Sequence, residues 1–457
     1  MNEAIFKAYD IRGIYPTDIN EEDVYKIGRA YAQFLSQENS DKELTVVVAQ
    51  DMRLSSPALT NQLIKALTDG GLNIIDIGLA STPTFYLAVG YFKVDGGIQV
   101  SASHNPKEYN GLKMVRARGV PISGATGIEE IKKLALANQF TLATTKGRVS
   151  KKEMVTPELI AELKKDLPLS TIKPLKVVVD PANGMGILDL PEILGHTAVT
   201  MIPLNFTLDG TFPAHEADPL KEKNLVQLQQ AVLAQQADLG IAVDGDGDRI
   251  FFVDNLGQAV PQAIIRGIMA QIAIAEPPGA TVRYDIRPGR IRPGRITKDM
   301  IEAVGGIAQV TRVGHSLIQE QMIMLDSVFS GESSGHFFYK TDYGSFEVPT
   351  WLILKFLLWL SEQNKTLATA VEPYKKYFNS GEINSLVTDA KAKIAEVAKQ
   401  FSDGQISYLD GVTVEYPTWW FNLRSSNTEP ALRLTLEATN EELMREKTEQ
   451  LLKIIRS

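Results

Sequence analysis

The 457-residue sequence predicts an α/β fold of several domains, and three observations carry that prediction. Short β-branched runs end in acidic or turn residues, helical patterns lie between them, and the chain is longer than one hydrophobic core normally serves. The clearest runs are "LTVVVAQDMR" (Leu44–Arg53), "LKVVVDPANGMG" (Leu175–Gly186) and "DLGIAVDGDGDR" (Asp238–Arg249). Each is apolar at successive positions, as a strand covered on both faces requires. Between such runs, "SPALTNQLIKALTDGG" and "NLVQLQQAVLAQQAD" carry helical periodicity. In open parallel sheets the loops beyond the carboxyl ends of the strands form the site, so chemistry is expected just after these runs.

The other elements follow in chain order. "YDIRG" (Tyr9–Gly13) places Arg12 ahead of a helix, where a surface salt bridge is the bland reading. The polar stretch "ATTKGRVSKKEM" (Ala143–Met154) reads as a linker, and the change after Val253 as a second boundary. "RPGRIRPGRI" (Arg287–Ile296) is a tandem repeat. "WLILKFLLWL" (Trp351–Leu360) contains Lys355 and is too short to span a bilayer, so it reads as a buried helix. Beyond "SEQNKTLATAVEPYKKYFNSGEI" the character changes: "LVTDAKAKIAEVAKQF" is expected to be a helix, "GVTVEY" and "WWFNLRSS" strands, and "ALRLTLEA" a strand of alternating faces. Four domains are expected, over 1–150, 151–253, 254–367 and 368–457.

Composition narrows the chemistry. With 44% hydrophobic and 22% charged residues the chain should be globular, and a net charge of -8 argues against nucleic acid as a partner. The absence of cysteine excludes disulfides, thiolate metal sites and cysteine nucleophiles. No charged segment followed by an apolar one opens the sequence, so a cytoplasmic location and no membrane partner are expected. An anionic substrate would need a local cationic cluster inside this acidic chain.

The sharpest motif is "AVDGDGDRI", where Asp244, Asp246 and Asp248 alternate with Gly245 and Gly247. On a regular strand the carboxylates would share a face but stand about 6 to 7 Å apart in succession. The glycines permit a bend that brings the oxygens together for a hard cation. A calcium-binding EF-hand loop is ruled out, since Arg249 stands where it requires glycine and Asn255 where it requires glutamate. The alternative of a solvated acidic turn leaves three like charges without a counter-ion. "QVSASHNPKEYNGLK" sets Ser103 beside His104 in a loop marked by Pro106. "RSSNTEP" (Arg424–Pro430) offers a guanidinium, three hydroxyls and an amide, as a phosphate grip or a capped turn does. "SGESSGHFF" places Glu332 and Ser334 two apart near His336, a spacing able to read sugar hydroxyls, and "TRVGHSLI" supplies His315.

Taken together and in order, "KAYDIRG", "SASHNPKEYNGLK", "DGTFPAHEADPLKEKNL", "DGDGDR", "TRVGHS", "GESSGH" and "RSSNTEP" resemble the α-D-phosphohexomutases, most closely their phosphomannomutase/phosphoglucomutase branch. The resemblance covers essentially the whole chain. It implies four domains around a central cleft, three related α/β units with mixed sheets plus a smaller C-terminal α+β domain. It also implies that Ser103 is a phosphoserine presented with His104, and that Asp244, Asp246 and Asp248 hold Mg²⁺, which also touches the Ser103 phosphoryl group. Arg12, Lys113, Arg249 and His336 match positions of the catalytic centre. Tyr9, Arg287, His315, Glu332 and Ser334 match substrate-binding positions, the last two reading the sugar's 3- and 4-hydroxyls. Arg424, Ser426, Asn427 and Thr428 match the grip on the distal phosphate.

The implied reaction interconverts hexose 1-phosphate and hexose 6-phosphate, of mannose or glucose, through a bound hexose 1,6-bisphosphate that also serves as activator. The implied partners are sugar phosphates, with the protein a monomer or weak homo-oligomer. Two departures stand out. Pro288 and Gly289 follow Arg287, and the duplicated repeat leaves Arg287 and Arg292 as alternatives for one role. After His336, "YKTDYGSFEVPTW" lacks the family's acidic-glycine pattern. Ser333 stands where the glucosamine branch usually carries glutamine, which ranks phosphoglucosamine mutase lower. A phosphoserine hydrolase needs only one phosphate grip, and a non-catalytic binding protein has no use for Ser103 with three aspartates.

Overall fold

The strand runs form where the sequence reading places them, and what covers them decides their direction. In the computed structural model, which describes residues 1–39, 42–275, 280–285, 294–311, 314–425 and 431–457, the chain divides into two units. The first comprises Met1–Ala259, Gly314–Asp326 and Gly335–Ala368, and the second Val260–Val313, Ser327–Ser334 and Thr369–Ser457.

The first unit holds a six-stranded sheet in the order Ile11–Ile14, Tyr109–Arg116, Gly96–Val100, Thr45–Gln50, Asn73–Leu79, Val149–Lys151. Thr45–Gln50 is parallel to both neighbours, whereas Tyr109–Arg116 runs antiparallel to Gly96–Val100 and to Ile11–Ile14. The sheet is therefore mixed. Val46, Val48, Ile98, Val100 and Leu112 form its core with Ile27, Leu35, Leu59 and Leu63 of helices Glu21–Glu38 and Ser56–Asp69. A four-stranded sheet follows, in the order Ile250–Asp254, Leu239–Val243, Lys176–Asp180, Thr200–Pro203, parallel except for its first strand. Phe252 of this sheet packs against Phe356 of helix Pro349–Gln363 with ring centroids 4.2 Å apart, so "WLILKFLLWL" is the buried helix expected.

Two expectations need refining. Arg12 precedes a helix as expected, but it sits in an edge strand, Ile11–Ile14, and the helix starts at Glu21, after Asn20 caps it by accepting from the Asp23 amide. Pairing with the buried strand Tyr109–Arg116 recruits this segment into the sheet. The linker at Ala143–Met154 contains an edge strand, Val149–Lys151, exposed at all three residues and parallel to Ile74–Asp76. Such short, basic edge strands carry little pattern of their own.

The second unit contains parallel strands Ile307–Thr311, Thr281–Asp285 and Phe329–Gly331, with helices Gln262–Ile274 and Arg295–Glu302. Its C-terminal part is a largely antiparallel sheet of Gln405–Ser407, Val412–Glu415, Trp419–Ser425 and Ala431–Ala438, with Phe378–Asn379 and Ile383–Leu386 beside the last. Leu432, Leu434 and Leu436 join Phe421, Leu451 and Ile455 in one core. The polar face of that strand is covered too: Glu437 is 1% exposed and accepts from Trp420 Nε1 at 2.7 Å. Three α/β sheets plus a smaller C-terminal sheet domain are the fold class expected. Among the described residues no helix is long and apolar enough to cross a membrane.

Candidate functional site

Strand Gly96–Val100 runs into the loop that carries Ser103, and strand Leu239–Val243 into the loop that carries the three aspartates. Both loops lie in the first unit, at strand carboxyl ends. Ser103 is buried with a positive φ of 51°, a conformation L-residues avoid because Cβ crowds the carbonyl. Its Oγ lies 3.2 Å from Asp244 Oδ2 and 3.1 Å from His104 Nδ1. The bend expected of the aspartate loop is there: the strand stops at Val243, Gly247 has φ 80°, and oxygens of Asp244, Asp246 and Asp248 lie within 4.8 Å of one another.

Lys113 reaches this cluster from the middle of strand Tyr109–Arg116, its Nζ 2.6 Å from Asp246 Oδ2 and 2.7 Å from Asp248 Oδ2. Burial disfavours its charge, but Asp246 and Asp248 outweigh that and push its pKa well above the ordinary lysine value. Lys113 is thus a fixed cation. Burial also works against Asp246, yet the charge and hydrogen bond of Lys113 and the Thr82 hydroxyl at 2.5 Å hold it below the usual carboxylate range. Asp244 goes the other way, raised well above that range by burial and by the charges of Asp248 and Asp246. Lys113 bonds two of the three carboxylates, and the raised pKa of Asp244 reflects the repulsion among them. Asp246 Oδ1 is buried and accepts no hydrogen bond. An all-oxygen donor set with an acceptor to spare fits a hard divalent cation.

Arg249, His336, Arg12, His104 and Tyr9, also singled out from the sequence, lie in the same unit. Arg249 Nε donates to His336 Nε2 at 3.0 Å, so that nitrogen presents a lone pair, while Nδ1 faces Glu347 Oε1 at 3.3 Å and Asp248 Oδ1 at 3.5 Å. Arg12 bonds Asp10 at 2.8 Å and Asn105 Oδ1 at 2.5 Å. Burial and the charges of Arg249 and Arg12 depress the His104 pKa well below the ordinary imidazole value, which keeps it neutral beside Ser103. Tyr9 packs its ring on Gly314, where a Cβ would come within 2.5 Å of it.

In the second unit, Ser334 Oγ donates to Glu332 Oε2 at 2.8 Å and Arg266 reaches the Ser333 hydroxyl at 3.1 Å. Arg424, next to last in strand Trp419–Ser425, pairs with Glu382 at 2.9 Å. Arg287, Arg292, Ser426, Asn427 and Thr428 lie outside the described residues, as does the His315 side chain, although His315 begins helix His315–Met324.

Three contributors escaped the sequence reading. Thr82 donates to Asp246 from the start of helix Thr82–Tyr91. Glu347, 1% exposed, backs His336 from within the stretch that breaks the family pattern, its pKa raised well above the ordinary value by burial and by Asp248. Arg53 lies behind the Ser103 loop, donating to the Ser103 carbonyl at 2.8 Å. Only Arg53 left a signal, its place just past a strand run.

Family models described as phosphoglucomutase/phosphomannomutase match in four parts: α/β/α domain I at 3–142, domain II at 157–257, domain III at 291–377 and the C-terminal domain at 382–454. A phosphomannomutase of Vibrio cholerae is 38% identical, covering 99% of this chain and 98% of its own. One from Methanocaldococcus jannaschii is 35% identical, covering 99% and 97%. The crystal structure of a phosphoglucomutase/phosphomannomutase family protein from Burkholderia thailandensis superposes with a TM-score of 0.89 at 29% identity, covering 100% of this chain and 98% of that one.

Proposed function

This chain belongs to the phosphoglucomutase/phosphomannomutase family and is a phosphohexomutase; from that premise we propose how its own residues carry the reaction. The observation that supports the reading most directly is the Ser103 hydroxyl 3.2 Å from Asp244, in a site whose carboxylates are partly neutralised by Lys113. Ser103 carries a phosphoryl group in the resting state. A free hydroxyl of a hexose 1-phosphate attacks the phosphorus, the bond to Ser103 Oγ breaks, and a hexose 1,6-bisphosphate forms. The sugar turns over and its other phosphate returns to Ser103. Free hexose 1,6-bisphosphate serves as activator by recharging a serine that has lost its group.

Asp244, Asp246, Asp248 and Ser103 would hold Mg²⁺, which when bound supplies charge stabilisation at the transferred oxygens. Lys113, Arg12 and Arg249 supply fixed positive charge on the protein side. The proton of the attacking hydroxyl needs an acceptor, and two of three candidates are cations here: Lys113 through its aspartates, Arg12 by its nature. His336 is the base in this reading: its Nε2 accepts from Arg249 Nε, so it takes the proton from the hydroxyl once Arg249 gives up that hydrogen bond and turns to the transferred oxygens. Glu332 and Ser334 read the 3- and 4-hydroxyls, which leaves both carbon-2 epimers acceptable, so mannose and glucose phosphates are both substrates. Arg424 with Ser426, Asn427 and Thr428 grips the distal phosphate, and Tyr9, Arg287 and His315 complete the substrate contacts. Four domains, 1–150, 151–253, 254–367 and 368–457, divide these tasks.

A phosphorus NMR time course with Mg²⁺, a trace of glucose 1,6-bisphosphate, and glucose 1-phosphate or mannose 1-phosphate in turn tests the reading. The matching 6-phosphate should grow in for the native protein and not for Ser103→Ala, which should still bind sugar phosphate. Release of inorganic phosphate in place of the 6-phosphate would identify a hydrolase. Appreciable turnover by the alanine variant would sink the assignment of the serine.

A further inference from the structure

Behind the serine loop lies a guanidinium that the mechanism above does not use. Arg53 follows strand Thr45–Gln50, and its side chain is 0% exposed. Its Nε bonds Asp51 Oδ2 at 3.1 Å. Its Nη1 donates to the carbonyls of Pro106 at 2.7 Å and Tyr109 at 3.0 Å, and its Nη2 to those of Ser103 at 2.8 Å and Asn105 at 2.6 Å. Asp51 is itself held by the Ser56 hydroxyl at 2.6 Å and the Arg53 amide at 3.0 Å. The Phe212 ring closes over the guanidinium, 5.2 Å from centroid to Cζ.

The loop has reason to need such a centre. A chain that turns four carbonyls inward sets their negative ends against one another, and Ser103 adds a left-handed backbone. Strain of this kind persists only where the surroundings over-determine the conformation. A planar fork with five donors satisfies several carbonyls at once, whereas a lysine ammonium is a point charge with three. Burial pulls the Arg53 pKa down and Asp51 works against that, and a guanidinium stays charged regardless.

We propose that Arg53 is a positioning residue for phosphoryl transfer: by binding the inward carbonyls of the 103–109 loop it fixes where Ser103 Oγ stands and points. The inference rests on Ser103 being the phosphoryl carrier. A nucleophile displaced by an ångström loses about 10²-fold in rate. Because Arg53 touches neither sugar nor phosphate, the loss belongs in kcat and not in KM.

The test compares native protein, Arg53→Lys and Arg53→Gly by steady-state kinetics, intact mass after glucose 1,6-bisphosphate, and thermal unfolding. Arg53→Lys is expected to stay folded and lose about 100-fold in kcat, with KM within about threefold. Millimolar guanidinium, but not ammonium, should restore part of the kcat of Arg53→Gly. If either variant fails to fold, Asp51→Asn, which keeps the shape and loosens the anchor, must show the same split between kcat and KM. Folded Arg53→Lys with kcat within threefold of native overturns the proposal. So does a loss shared equally by kcat and KM with no rescue by guanidinium. A native protein that takes up no phosphoryl group at Ser103 overturns the serine reading instead, and this inference with it.

Discussion

Lys113 shows how one residue serves stability and chemistry together. It is the cation within hydrogen-bond reach of both Asp246 and Asp248, all three being buried. Breaking a buried ion pair by removing one partner typically costs about 3 to 5 kcal/mol, because a charge is left uncompensated. Lys113→Met is expected to unfold at a markedly lower temperature than the native protein, and added Mg²⁺ should raise its melting temperature more than the native one. Equal shifts in calorimetry with and without the ion would refute that coupling. At this scale the sequence was readable where partners are neighbours in the chain. The spacing of Asp244, Asp246 and Asp248 announces a cation site. Thr82 and Glu347 declare nothing alone, and Arg53 shows only its place past a strand run, since Thr82 meets Asp246 across 164 positions and Arg53 meets Ser103 across 50.

At the scale of elements, the two glycines of the aspartate loop make different demands. A Cβ on Gly245 would stand 2.6 Å from the Ser103 carbonyl oxygen, whereas one on Gly247 has ordinary space but a φ of 80°. Gly247→Ala should therefore cost about 1 to 2 kcal/mol of stability and leave turnover largely intact. Gly245→Ala should push the serine and aspartate loops apart and lose most of the turnover. Urea unfolding and initial rates measured on both variants separate the two effects, and the reverse ranking would refute the argument. Elements with a strong pattern of their own, such as Lys176–Asp180, Leu239–Val243 and helix Pro349–Gln363, could be read directly. Strands Ile11–Ile14 and Val149–Lys151 could not, because only their pairing partners make them strands.

For the molecule as a whole, pH acts on stability through His215. Burial lowers its pKa, but the hydrogen bonds it donates to Asp180 and to the Glu216 carbonyl, with the charge of Asp180, more than compensate and leave it raised. Such a group contributes stability fully below the ordinary histidine value of about 6.5 and loses it as pH rises through the raised one. Melting curves from pH 6 to 9 should show native protein converging on His215→Gln toward the alkaline end. A gap that widens with pH would mean the sign is wrong.

The chain also passes between its two units five times, at 259/260, 313/314, 326/327, 334/335 and 368/369. During synthesis from the N-terminus this imposes an order. His336, Glu347 and helix Pro349–Gln363 all arrive in the last segment of the first unit, Gly335–Ala368. Until then Phe252 lacks the Phe356 ring it packs on. A nascent or truncated chain ending at Ala259 is expected to be sticky, which light scattering of that fragment would reveal. The catalytic residues of the first unit thus become complete only when most of the polypeptide has left the ribosome, so a prematurely ended product has no early, half-working form.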